Sequence, residues 1–234
     1  MKHLSADRLL WFLKTTHLFQ GENTSVIGEL ANSLERHSWA KGLELPIFEG
    51  AKPLVHLVVE GSIRLIAEEK ATLELLGPGD LLGGSQVLSS VVGDRVACST
   101  TAHALTPCVT LLLGADDFTE ILKKSPTVLI NFVSQLEQSR RRLEVRLTNL
   151  LFRTSVGKVA GILLELASRF GEPGKSPQSV TITVPITHQD ISSLVGLRRE
   201  SVSLALASLE LEELIQYKRN ELTILNSAKL AEIK

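Results

Sequence analysis

An α+β fold is predicted for this chain of 234 residues, with an antiparallel β-roll in its first half, a long helix after it, and a helical end closed by a small hairpin. Three observations predict it. Residues 41–113 are a series of short β-rich runs punctuated by glycine. A proline-free helical pattern follows Pro126 and lasts to Phe170, with leucines at seven-residue intervals. Residues 186–224 set two short helical patterns ahead of two β-rich runs.

Residues 5–37 carry amphipathic patterns, with Leu9, Leu10, Phe12 and Leu13 in one and Val26, Ile27, Leu30 and Leu34 in the next, divided by Gly21 and Asn23. They predict short helices leading into the roll. The β-rich runs are "LELPIFEG", "LVHLVVEGSIRLIA", "ATLELLGPGDLLGG", "RVACSTTAHA" and "VTLLL". Five or more short strands between Gly or Gly-Pro turns argue for a compact, jelly-roll-like antiparallel structure. "GPGDLLGG" lies between strand-like runs, so it is expected to serve as a turn and not as a phosphate loop at a helix start.

Beyond Pro126, Leu129, Leu136, Leu143 and Leu150 form a narrow stripe that Val133 and Leu147 widen. Arg140, Arg141, Arg142 and Arg146 surround it, a pattern that suits a helix paired with its two-fold mate and solvated on its flanks. A bend is expected at Arg153–Ser155, then a second helix over Ser155–Phe170, then a loop at "GEPGKSPQS". The expected organisation is a roll with its leading helices over 1–126, a dimerisation helix over 127–153 and a last domain over 154–234.

The last domain carries the most specific pattern, "ITHQDISSLVGLRRESVSLALASL" at residues 186–209. Thr187 can cap a helix whose apolar side is Ile191, Leu194 and Val195, and Gly196 supplies a turn. On a wheel at about 100° per residue, the helix after that turn places Val202, Ala205, Leu206 and Leu209 inward. Glu200, Ser203, Leu204 and Ala207 lie opposite, with Arg199 on the flank. An outward polar face at the start of the second helix of a helix-turn-helix is the part that enters a DNA major groove. "LIQYKRNELTIL" then has the form of a small wing whose Lys218 and Arg219 can reach phosphate. The alternative is a ligand-sensing or protein-interaction module of the same fold that does not bind DNA.

The net charge of −1 hides an asymmetry. Residues 1–125 hold 11 Lys+Arg and 15 Asp+Glu, whereas residues 126–234 hold 14 and 11, so the second half better tolerates a polyanion. No run approaches the roughly 20 apolar residues of a membrane span, and the charged N-terminus does not read as a signal peptide, so a cytoplasmic protein is expected. There is no Walker-type lysine loop, His-Glu-x-x-His, Gly-x-Ser-x-Gly or Cys-x-x-Cys, and no enzyme is predicted.

A glycine-punctuated roll with "VEGSIRL" and "GPGDLLGG", a leucine-striped helix, then "ITHQDISSLVGLRRESV" and a wing resemble the CRP/FNR family of bacterial transcription regulators over nearly the whole chain. The resemblance implies a cytoplasmic homodimer that binds a roughly palindromic operator, with RNA polymerase as a further partner. It places the family's recognition pair on Arg199 and Glu200, where Arg can donate twice to guanine and Glu can accept from cytosine N4. Ser203 falls on another contact position, and Arg198 is expected on phosphate. Leu204 stands where a branch of the family has a second base-reading Arg and offers only apolar contact, such as to a thymine methyl.

The same resemblance implies a cyclic-nucleotide cassette with a Gly-Glu pair on the ribose and an Arg-Ser pair on the phosphate. Those positions hold Gly83–Gly84 and Arg95–Val96 here, and the base positions on the long helix hold Leu143 and Glu144. Only Arg95 keeps its anchoring group, so cyclic AMP is not expected to bind, and the effector is left unassigned. Two cysteines are too few for an iron–sulfur cluster, while haem needs only one or two axial ligands, for which His3, His17, His37, His56 and His103 are available. Cys98, His103 and Cys108 are evenly spaced, but strand alternation turns His103 away from Cys98, and both cysteines are expected in the core.

Overall fold

The computed structural model describes residues 6–31, 33–67, 71–93, 100–176, 178–218 and 221–233. They form two compact units, one drawn from residues 1–68 and 75–139 and the other from 69–74 and 140–234. The dividing point therefore lies inside the long helix and not at either of its ends.

The first unit opens with α1 (Ala6–Thr15), a 3-10 turn (His17–Phe19) and α2 (Thr24–Ala31), as the amphipathic spacing predicts. Nine strands follow among the described residues: β1 (Glu35–Trp39), β2 (Glu44–Leu45), β3 (Phe48–Glu49), β4 (Lys52–Glu60), β5 (Ile63–Ala67), β6 (Thr72–Leu76), β7 (Leu81–Leu82), β8 (Thr100–Ala104) and β9 (Cys108–Gly114). One sheet runs β1-β9-β4-β3 with β7 beside β4, and a second runs β2-β8-β5-β6. The pairings β1–β9, β9–β4, β4–β3, β4–β7, β2–β8 and β8–β5 are antiparallel, which makes this the expected roll.

Strand β4 shows why the chain adopts it. Val55, Leu57 and Val59 enter a cluster with Leu13, Ile27, Phe118 and Phe132, while Val58 enters another with Leu45, Ile63, Leu82 and Cys108. A strand with a core on each face reads as a nearly continuous apolar run, which is what "LVHLVV" is. His56 sits inside that run, fully buried. It lies 2.7 Å from the Pro46 carbonyl through Nε2 and 3.2 Å from Thr110 Oγ1 through Nδ1, and Trp39 Nε1 donates to the same hydroxyl at 2.9 Å. A carbonyl can only accept, so the ring proton is on Nε2 and the Thr110 hydroxyl donates to Nδ1. Burial holds the His56 pKa below the ordinary histidine value, against the opposing pull of the Pro46 carbonyl.

Several local expectations need correction. Residues 35–37 belong to β1 and not to a leading helix. That strand lacks apolar alternation and is held by its register on β9, from Glu35 opposite Leu112 to Trp39 opposite Cys108. "GPGDLLGG" does not merely turn between strands, because α3 (Gly84–Val91) begins at its last residue. Gly83 makes the transition at φ 90°, where a Cβ would stand 1.9 Å from the Leu54 carbonyl oxygen. A further helix, α4 (Ala115–Lys124), precedes Pro126, with Asp116 and Asp117 in its first turn and Lys123 and Lys124 in its last, charges that complement its dipole.

The long helix is α5 (Pro126–Phe152), with proline at its first position and Ser125 Oγ accepting from Val128 N at 3.1 Å. Val128 and Phe132 are buried, and Leu136 packs against the same core. Leu136 is thus partly spent within the chain, and Leu150 is half-buried, while Leu129, Val133, Leu143 and Leu147 stay exposed.

The arginines on α5 do not all lie on solvated flanks. Arg140 and Arg141 are exposed, and Arg140 pairs with Glu144 one turn on. Arg142 reaches Glu74 at 2.7 Å, and Arg146, its side chain only 11% exposed, reaches Glu165 at 2.5 Å and the Leu73 carbonyl. Arg169 joins Glu74 at 3.5 Å. Carboxylates from distant parts of the chain neutralise these guanidiniums and let them leave water.

The second unit continues with α6 (Ser155–Phe170), whose cap Thr154 accepts from Gly157 N at 3.2 Å at the expected bend. Then come β10 (Gly171–Pro173), β11 (Val180–Ile182), α7 (His188–Val195), α8 (Arg199–Leu211), β12 (Ile215–Lys218), β13 (Glu221–Ile224) and α9 (Ser227–Glu232). The sheet order is β10-β11-β13-β12. "GEPGKSPQS" is therefore not all loop, since Gly171–Pro173 pairs antiparallel with Val180–Ile182.

Candidate nucleic-acid interface

The interface is built on α7, α8 and the β12–β13 hairpin. Thr187 starts α7 with a reciprocal cap: Asp190 N donates to Thr187 Oγ1 at 3.2 Å, and Thr187 N donates to Asp190 Oδ2 at 2.8 Å. Gly196 ends the helix at φ 63°, a left-handed position that glycine enters without strain, and Ser192 Oγ donates to the Leu197 carbonyl at 2.7 Å to fix the turn. These contacts, with Ile191, Leu194 and Val195 buried, set the angle at which α8 leaves.

Val202, Ala205, Leu206 and Leu209 of α8 are buried, as the wheel predicts. Arg198, Arg199, Glu200, Leu204 and Ala207 are exposed. The side chains of Arg198, Arg199 and Glu200 have no hydrogen bond or ion pair among the described residues, so each keeps its full capacity for an outside partner. Two guanidiniums beside the positive end of a helix form a local cationic patch on a chain of near-zero net charge. Lys218 is exposed at the end of β12. Arg219 lies outside the described residues.

Ser203 is placed differently from its neighbours. It is half-buried, its hydroxyl donates to the Arg199 carbonyl at 3.0 Å, and His188 Nδ1 lies 2.8 Å from the same oxygen. The His188 ring packs on Tyr217 with centroids 5.1 Å apart, and Tyr217 donates through its hydroxyl to the Ile186 carbonyl at 2.9 Å. This inner row braces α7, α8 and the wing against one another. Neither His188 nor Tyr217 is marked by a sequence pattern, because their partners stand 15 and 31 residues away.

In the first unit, Gly83 and Gly84 lie at the start of α3, and Arg95 and Val96 lie outside the described residues. Gly84 is buried, and a Cβ on it would meet the Phe132 ring at 2.8 and 3.0 Å. Phe132 is itself locked edge-on against Phe118, with centroids 5.1 Å apart. A ring thus stands where any side chain at position 84 would begin. Leu143 and Glu144 are exposed on α5.

Of the candidate haem ligands, His56 has both ring nitrogens committed, His3 lies outside the described residues, and His17, His37 and His103 are exposed or half-exposed. Cys108 is buried, and burial pushes its thiol up to about 11. Cys98 lies outside the described residues. Among the described residues no three His, Cys, Asp or Glu side chains come together as a metal site.

Two family models match the chain: a Crp-like helix-turn-helix domain over residues 157–233 and a cyclic nucleotide-binding domain over residues 38–125. The chain is 26% identical to the CRP-like cAMP-activated global transcriptional regulator of Mycobacterium tuberculosis, over 92% of this chain and 94% of that protein. It is also 26% identical to the cyclic AMP receptor protein of Thermus thermophilus, over 94% and 98%. Among solved structures, FixK2 from Bradyrhizobium japonicum shares the fold with a TM-score of 0.70 at 20% identity, over 86% of this chain and 97% of that one. A CooA mutant from Carboxydothermus hydrogenoformans shares it at 0.71 and 19%, over 96% and 98%.

A roll, a long helix and a winged helix-turn-helix with an open cationic reading face define a DNA-binding transcription regulator. The chain belongs to the CRP/FNR family.

Proposed function

We propose that this regulator works in the cytoplasm as a homodimer on a two-fold-symmetric operator, reads it with Arg199 and Glu200 of each α8, and does so without cyclic AMP. The observation that carries the reading is the exposed row Arg198, Arg199 and Glu200 at the start of α8, whose side chains have no partner among the described residues. Arg199 donates to guanine O6 and N7, and Glu200 accepts from cytosine N4, while Arg198, Lys218 and Arg219 neutralise phosphates. Pairing is supported by the apolar edge of α5, where Val133 is 53%, Leu143 48% and Leu147 57% exposed at spacings of a coiled-coil seam. Such pairing sets the two recognition helices about one DNA turn apart, roughly 34–36 Å.

Independence from cyclic AMP is supported by position 84, which has no carboxylate for a ribose and no room for one beside Phe132. No enzymatic step, metal or haem is assigned, and RNA polymerase is the expected protein partner at the promoter. No helix among the described residues is long and apolar enough to cross a membrane. Selection from a random duplex library with the full-length protein, at low and moderate salt, tests the reading. Enrichment of a two-fold-symmetric motif is expected, and enrichment of none overturns it.

A further inference from the structure

We propose that a groove between α2 and α4 docks a basic amphipathic helical segment of another protein, which lays apolar side chains on its floor and lysines or arginines along its acidic rim. The groove lies wholly in the first unit and involves neither the helix-turn-helix nor the start of α3. Helical spacing builds it. Val26, Glu29 and Leu30 fall on one side of α2, and Asp117, Glu120, Ile121 and Lys124 on one side of α4, because residues three and four apart are neighbours on a helix. The row on α4 is about two turns, or roughly 10 Å, long.

The size of the groove decides the kind of occupant. Its floor is Phe19, Ile27 and Leu30, with Ile121 half-buried beside them and Val26 37% exposed at the lip. It encloses about 180 Å³, below the roughly 300–1,000 Å³ of sites that take a whole cofactor or drug-sized ligand. Such a space suits single side chains, and a helix laid in a groove presents them one turn apart.

Charge decides which helix. Glu29, Asp117 and Glu120 on the rim stand against one cation, Lys124. Lys124 donates to Glu120 at 2.8 Å, and that bond raises the lysine above its ordinary pKa, with the charge of Glu29 on the opposite helix adding to the rise. The side chains of Glu29 and Asp117 have no hydrogen bond or ion pair among the described residues. Three carboxylates against one ammonium leave a negative rim, which a basic segment complements and an acidic one is repelled by.

Fluorescence anisotropy of a labelled peptide titrated with the full-length protein provides the test. The peptide is an amphipathic sequence of about 14 residues, long enough for measurable helicity, with leucines one turn apart and lysines flanking them. Two companion peptides carry glutamates for the lysines or alanines for the leucines. The lysine-leucine peptide is expected to bind, and both companions to bind about tenfold more weakly or worse. Combining Glu29→Lys with Asp117→Lys alters two exposed side chains, so the melting temperature and operator affinity are expected to stay as in wild type. Peptide binding is expected to fall about tenfold, since each reversal trades an exposed attraction for a repulsion.

Equal binding of the lysine and glutamate peptides, no binding of the lysine peptide up to about 1 mM, or unaltered binding by the double variant overturns the proposal. Displacement of the peptide by hexylammonium at matching concentrations would make the groove a small-cation site, and a changed oligomeric state in Val26→Asp would make it a contact between copies of this chain. Either result also overturns the proposal, and none of them touches reading by Arg199 and Glu200.

Discussion

At the start of α8, Arg198, Arg199 and Glu200 are exposed, with no side-chain hydrogen bond or ion pair among the described residues, whereas at the start of α3 the equivalent opportunity is closed by an aromatic ring on Gly84. Both places are helix N-termini that follow a glycine turn, and both belong to matched family domains. One keeps its groups for a partner; the other has turned its space into core. A roll can keep its fold while core side chains take up the space at one of its helix starts, because a site resides in particular side chains and the fold can outlast them.

The strongest way to probe the closed end is to remove the ring. Phe132→Ala is expected to cost the first unit about 3–5 kcal/mol in denaturant unfolding. Gly84→Ala should destabilise the wild type but couple strongly with Phe132→Ala, since the ring is what the new Cβ meets; additive losses in the double variant would show that Phe132 does not close the site. At the open end, Arg199→Ala is expected to weaken binding to a selected operator by about 1–3 kcal/mol and to relax the base preference at one position. A uniform loss over all sequences would make Arg199 a phosphate contact instead.

The two ends should also differ in their response to acid. His56 is neutral and buried in the folded roll with its pKa lowered, while an unfolded chain binds a proton near pH 6.5. Its contribution is fully present above that pH and is lost as pH falls through the depressed folded value, with a slope of at most about 1.4 kcal/mol per pH unit from this one group. Thermal melts from pH 7.5 to 5 are expected to show the roll weakening on acidification, and His56→Asn to flatten that slope. The smallest effect is expected at the cap of α7, where Thr187→Ala should cost about 1 kcal/mol in the stability of the second unit.

Local chemistry is what the sequence makes legible. Thr187, Gly196 and the four inward residues of α8 announce a helix-turn-helix because caps, turns and helical spacing act over a few residues. The apolar run of β4 and the bend at Thr154 are legible for the same reason. Strand β1 is not, since its register is set by β9, from Glu35 opposite Leu112 to Trp39 opposite Cys108, far along the chain.

Nor is the fate of Arg142 and Arg146, which spacing alone places in solvent, because Glu74 lies 68 residues before Arg142 and Glu165 lies 19 after Arg146. The missing carboxylate at Gly84 is visible in the sequence, but its packing against Phe132 is not. The same holds at α8, where helical spacing predicts the outward bearing of Ser203 and gives no sign of its capture by His188.

Whether α8 reads its operator without the ligand named for several relatives is decided by fluorescence anisotropy of the selected operator duplex. The duplex is titrated with the full-length protein in the absence and presence of saturating cyclic AMP. Superimposable binding curves are expected. A tenfold or greater tightening by the nucleotide would contradict cyclic-AMP-independent reading.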